Sequence, residues 1–115
     1  MKSKNSKKEK RNRRHRRIRS KIFGTLEKPR LSVFKSNRHL FAQLIDDENS
    51  VTLVAVHSKQ ISGKTLEKSI KVGQAIANKA LEMKIKKVVF DRGGFIYTGA
   101  IKAVAEGARE GGLEF

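Results

Sequence analysis

Between positions 30 and 36 the chain reads RLSVFKS, with Leu31 and Val33 on one face and Ser32, Phe34 and Ser36 on the other. This period-two alternation predicts a half-buried strand. It begins just after Lys28-Pro29, where proline pushes the residue before it out of the α region and forces an extended approach. SNR (36–38) predicts a tight turn, because Asn tolerates left-handed geometry, and HLFAQLI is the returning strand. DDENS makes a second turn and VTLVAVHS a third strand, apolar at most positions. The three strands form an antiparallel meander. The period then changes: Leu66, Ile70, Gly73, Ala77, Ala80 and Leu81 share one helical face. On that face Gly73 and Ala77 lack bulk, which predicts close packing on the sheet. KKVVF (86–90) is a short buried strand ending at DRGG, whose glycines permit backbone turns closed to other residues. A last helix spans about 98–110, with Ile101, Val104, Ala105 and Ala108 inward and Gly111-Gly112 as its stop. Strand three, helix and strand four are expected to form a right-handed crossover. The fold class is α/β, a small mixed sheet of three antiparallel strands plus one parallel strand.

The start of the chain departs from this patterning. Residues 1–17 hold no apolar side chain except Met1, and only Ile18, Ile22 and Leu26 then recur at helical spacing. A helix over about 7–23, stopped near Gly24, follows from that spacing. Like-charge crowding predicts that it frays when free. The domain reading is a basic arm, 1–22, partly helical and disordered when free, on a single α/β domain, 23–115.

Charge sharpens the division. The arm carries twelve Lys or Arg and one Glu; the remaining residues carry fifteen Lys or Arg against ten Asp or Glu. There are no cysteines, which excludes disulfides and thiolate metal sites and fits a cytosolic location. No apolar run is long enough to span a membrane, and Gly24, Thr25, Glu27, Lys28 and Pro29 break any export signal after the basic start.

The arm points to nucleic acid. A membrane-binding helix needs an apolar stripe, which residues 1–17 lack. Arg11, Arg13, Arg14, Arg16, Arg17 and Arg19 offer planar forks that suit phosphates and stack on bases, and Lys21 and Arg30 continue the series. If about six to ten such groups met phosphate, affinity would fall roughly 10³- to 10⁵-fold between about 50 and 200 mM salt. Phosphate contacts hold without reading sequence. Selection is therefore expected from the body: from Lys35, Ser36, Asn37, Arg38 and His39 in the first hairpin, and from Arg92, Gly93 and Tyr97 around the paired glycines. Phe34 and Phe41 are candidates for base stacking on the open sheet face, against ordinary packing as the plainer role.

Catalytic motifs fail on inspection. SKQISGKT (58–65) suggests a phosphate loop, but such a loop needs glycine at position 58, which is Ser. Asp46, Asp47, Glu48 and Asp91 suggest a metal-dependent nuclease, which requires carboxylates converging from neighbouring strands. Three of them crowd one turn, the first strand carries no acid, and Asp91 adjoins Arg92 as a charge partner, so structural roles are favoured. His15, His39 and His57 lack zinc-ligand spacing. No cofactor, metal or catalytic residue is expected.

KPRLSVFKSNRHLFAQLIDD (28–47) and KKVVFDRGGFIYTGAIKAVAEGAREGGLEF (86–115), in this order and behind an arginine-rich start, closely resemble the bacterial large-subunit ribosomal protein eighteen family. The resemblance covers the whole chain. It implies a ribonuclease-H-like strand arrangement without the nuclease acids, and a structural role binding 5S rRNA and attaching it to 23S rRNA in the central protuberance. Partners would be the two rRNAs and neighbouring large-subunit proteins, with no membrane or small-molecule substrate, in the cytoplasmic large subunit. Some positions depart from the family's usual pattern. Lys35 and Arg38 exchange Arg for Lys and Lys for Arg, Phe41 stands for a frequent Tyr, and Thr98 and Ala100 stand where His and Arg are common. The alternatives are a ribonuclease-H-like nuclease and a non-specific DNA-compacting protein.

Overall fold

The computed structural model describes residues 7–19, 22–36, 39–61, 65–93, 95 and 99–115. Helix α1 (Lys7–Arg19) precedes strands β1 (Arg30–Lys35), β2 (Leu40–Asp46) and β3 (Val51–His57). A 3-10 turn (Ser58–Gln60), helix α2 (Thr65–Glu82), strand β4 (Val89–Asp91) and helix α3 (Gly99–Glu110) follow. The sheet order is β3-β2-β1-β4. β1, β2 and β3 form the expected antiparallel meander, and β4 is parallel to β1. This order is compatible with the ribonuclease-H-like arrangement. β4 does not lie beside β3; α2 carries the chain across β2 and β1 to the far edge.

Alternation decides which way each strand faces. Leu31 and Val33, Leu40, Ala42 and Leu44, and Val54 and Val56 are buried beneath the helices. Ser32, Phe34, Phe41, Gln43 and His57 occupy the opposite, open face through the register Ser32↔Gln43 and Phe34↔Phe41↔His57. A bulge opposite Leu44 and Ile45 admits one extra residue on β3 and bends the sheet there. Val72, Ile76, Ala77 and Ala80 of α2, with Ile101, Val104 and Ala108 of α3, complete the core.

Gly73 corrects one expectation. A Cβ there would lie 2.1 Å from the Val104 carbonyl oxygen, and one at Gly107 would lie 2.2 Å from that of Ile70. The small residues of α2 therefore bring it into backbone contact with α3, not with the sheet. β4 is also shorter than 86–90. The Val88 N–H donates to the Glu114 carbonyl (3.1 Å) and the Glu114 N–H to that of Lys86 (2.8 Å), so the chain end runs parallel beside 86–88. Phe115 then stacks on Phe90 with ring centroids 5.4 Å apart, and the Arg109 guanidinium lies 4.4 Å above the Phe115 ring.

Candidate RNA interface

The segment between α1 and β1 is anchored. Asp47 Oδ2 accepts from the Gly24 N–H at 2.7 Å, and the Gly24 carbonyl accepts from the Asp47 N–H at 2.9 Å. Gly24 has no room for a side chain: a Cβ would lie 2.4 Å from the Arg30 nitrogen. The Thr25 hydroxyl and the Lys28 carbonyl close the following turn onto Pro29. The basic helix thus springs from a root pinned 23 residues along the sequence.

Within α1, Arg13 and Arg16 are exposed, and Arg11 and Arg14 are half-buried. Arg11 reaches the body, its guanidinium 4.8 Å from the centroid of the Phe95 ring. The side chains of Arg17 and Arg19, and all of Lys21, lie outside the described residues. At the hairpin, Lys35 and Ser36 are exposed and His39 is half-buried. The Ser36 N–H donates to the His39 carbonyl (2.9 Å), and the Ser36 hydroxyl accepts from the His39 N–H (3.2 Å). These bonds close the loop at its neck. Asn37, Arg38 and Tyr97 lie outside the described residues.

At DRGG the backbone turns sharply. Gly93 has φ +66°, and a Cβ there would sit 2.8 Å from the Val33 carbonyl oxygen. Both the left-handed conformation and the close approach to β1 require glycine. Asp91 Oδ1 accepts from the Gly93 N–H (2.8 Å), and the Arg92 carbonyl accepts from the Phe95 N–H (3.1 Å). Arg92 and Phe95 are half-buried at the turn.

Arg30 is not presented to a ligand, contrary to its expected role as a phosphate contact. Its residue is 8% exposed. Nε and Nη2 donate to the two carboxylate oxygens of Asp47 at 3.0 Å each, and Nη1 donates to Asp91 Oδ2 at 2.8 Å. Burial alone lowers the Arg30 pKa. The hydrogen bond and charge of Asp47, then those of Asp91, outweigh burial and leave it above its ordinary value. Asp91 is thereby ion-paired with Arg30, where the sequence had suggested its neighbour Arg92. Of the other two carboxylates, Asp46 caps its own turn by accepting from the Glu48 and Asn49 N–H groups, and Glu48 is exposed.

Two ring clusters include side chains of the open face, and Phe95 of the first also packs against the core. Phe34 packs edge-on against Phe95 at 5.8 Å, while Phe41 and His39 both tilt against His57, at 5.8 and 5.2 Å. His57 Nδ1 accepts from the Lys59 N–H (3.0 Å), which places the proton of the neutral ring on Nε2. The fold thus brings together His39 and His57, far apart in sequence. Phe95 and His57 were not among the sequence candidates. Alternation assigned faces to β1 and β2, but pairing across three strands was needed to align these rings.

Residues 5–115 match the family described as ribosomal L18 of archaea, bacteria, mitochondria and chloroplast. The chain is 56% identical to "Large ribosomal subunit protein uL18" of Clostridium botulinum strain Langeland, over 119 aligned positions covering both chains in full. It is 51% identical, again over both full lengths, to the protein of the same name from Staphylococcus aureus strain JH9.

Proposed function

The chain belongs to the ribosomal L18 family, and on that premise we propose that it is a structural component of the large ribosomal subunit that binds 5S rRNA and helps attach it to 23S rRNA. Its place is then the ribosome of the bacterial cytoplasm, beside other large-subunit proteins, and its role is assembly rather than catalysis. The observation that carries the reading is the union of a cationic helix with an anchored root and a body that offers Lys35, Ser36, His39 and Arg92 on the turns flanking one sheet face. Arginine forks on α1 supply phosphate grip. The body supplies fixed shape, which RNA recognition uses because the A-form major groove is too deep and narrow for side chains.

The test is binding of the full chain to 5S rRNA and to a length-matched control RNA across a salt series. Arg13→Ala and Arg16→Ala should each weaken both RNAs alike and flatten the salt slope by about one unit. Arg92→Ala should reduce the preference for 5S rRNA while leaving non-specific affinity nearly unchanged. Equal wild-type affinity for both RNAs would refute the 5S assignment. A change of preference on altering only α1 would refute the division of labour.

A further inference from the structure

The open face of the sheet carries a pattern that burial does not explain. Phe34, Phe41 and His57 are direct cross-strand neighbours on β1, β2 and β3. At about 4.8 Å per strand the row spans roughly 10 Å. The core lies on the other side of the sheet, yet Phe34 is 54% exposed. Two residues along each strand, the next row on this face is Ser32, Gln43 and Ala55, polar on β1 and β2. A row of rings thus borders a row containing a hydroxyl and an amide.

Aromatic residues also occur on strands because rings pack well against their neighbours across a sheet. Charge distinguishes this face from that ordinary case. The Arg11 guanidinium lies over Phe95, which packs on Phe34. Lys35 is exposed next to Phe34, and Arg92 opens the turn that ends at Phe95. The nearest acid of that turn, Asp91, is fully buried and paired with Arg30. Ring faces framed by cations are the combination that binds unpaired nucleotides: rings take the bases and cations the backbone.

We propose that the open face of the sheet is a stacking platform for unpaired bases of an RNA loop or bulge. Phe34 and Phe41 are its ring anchors, His57 extends the row, and Ser32 and Gln43 lie where base edges would be met. The inference deepens the RNA-binding reading and rests on it.

The test uses the full chain with Phe34→Leu, Phe41→Leu and the ring-retaining Phe34→Tyr. There are three probes: 5S rRNA, a fully paired RNA duplex of about 16 base pairs, and an unstructured RNA of about 12 nucleotides carrying one 2-aminopurine. Each Leu variant should weaken binding of 5S rRNA and of the single strand about five- to hundredfold, the range set by loss of one base–ring stack. Duplex affinity and the salt slope should stay put, and Phe34→Tyr should bind like wild type. The 2-aminopurine emission should change on binding wild type and change less with Phe34→Leu. Phe34 is exposed, so an unchanged thermal melt will certify each variant's fold. Leu variants that melt normally and bind 5S rRNA and the single strand within about twofold of wild type would overturn the platform and leave this face to a protein partner. If wild type fails to prefer 5S rRNA, the 5S assignment falls; the single-strand probe still decides the platform, which stands if Phe34→Leu weakens it and falls if not.

Discussion

Replacing Arg30 with Ala removes three charge-assisted hydrogen bonds and the cation that balances Asp47 and Asp91. The Asp91 side chain is 0% exposed and that of Asp47 11%, so solvent cannot take over the role. Breaking a buried pair from one side costs about 3–5 kcal/mol, because carboxylate charge is left in a poorly solvated place. Against a total stability of about 5–15 kcal/mol this is a large loss. At about 4–8 °C per kcal/mol for a domain of this size, the melting temperature should fall by roughly 12–40 °C. Urea unfolding followed by far-ultraviolet circular dichroism gives the free energy directly. Arg30→Lys keeps the charge but lacks the fork that reaches both carboxylates, so it should lose an intermediate amount. The pKa shift adds a check of sign. A group raised in the folded state contributes stability that is present below its unfolded pKa and lost as pH rises through the folded one. For a guanidinium both values lie far above neutrality, so Arg30 itself adds no slope between about pH 5 and 9. RNA binding separates this role from a phosphate contact. At a temperature where Arg30→Ala remains folded, its salt slope should match wild type, whereas a lost phosphate contact would lower the slope by about one. A destabilisation below about 1 kcal/mol, or a slope reduced by one, would refute the reasoning.

Gly107→Ala places a methyl 2.2 Å from the Ile70 carbonyl oxygen, a backbone atom that cannot rotate away. The α2–α3 interface must open, at about 1–3 kcal/mol or more by thermal or urea unfolding, and wild-type stability would contradict the packing. Deleting Phe115 removes its stack on Phe90 and the cation–π contact with Arg109. A loss of about 1–3 kcal/mol is expected from the uncovered ring area and these contacts. RNA affinity below the melting range should not change, and a selective loss of RNA binding would move Phe115 into the interface.

What could be read in advance divides along sequence separation. Alternation in RLSVFK and HLFAQLI fixes which side chains face the core, and a short turn at 36–39 fixes their register, so the meander and the open-face rings Phe34 and Phe41 were legible. Position β4 was legible as a strand but not by neighbour: pairing with β1 joins residues about 60 apart, and its true length depends on Glu114 competing for the backbone of 86–88. Gly73 was visible as a site of close approach, but a helical wheel does not say whether sheet or helix approaches. The enclosed place of Arg30 is invisible to the sequence for the same reason. Alternation places it with Ser32 and Phe34 on the open face, where a cation is normally solvated. Only the return of Gly24 onto Asp47, with Asp91 supplied by β4 beside it, converts that place into an enclosed ion pair.

That same network bears on how the arm and the body cooperate. Hydrogen bonds run from the Gly24 N–H to Asp47, from Arg30 to Asp47 and Asp91, and from the Gly93 N–H to Asp91. The root of the arm and the DRGG turn are therefore held by one buried guanidinium. Gly24 lies five residue steps after Arg19, and at about 3.3–3.6 Å per step they reach at most about 18 Å. Helix α1, at about 1.5 Å per residue, is itself only about 20 Å long. An RNA backbone gripped along α1 is thereby confined to within a few tens of ångströms of the sheet's open face, and Arg11 on Phe95 marks where the two surfaces already touch. On the proposed reading, the arm would follow its RNA only in an arc centred on the body's turns. If the proposed platform holds, grip by the arm would raise the local concentration of bases over the ring row, so loss of arm charge and loss of a ring should each weaken 5S rRNA binding, while only the ring's loss changes preference.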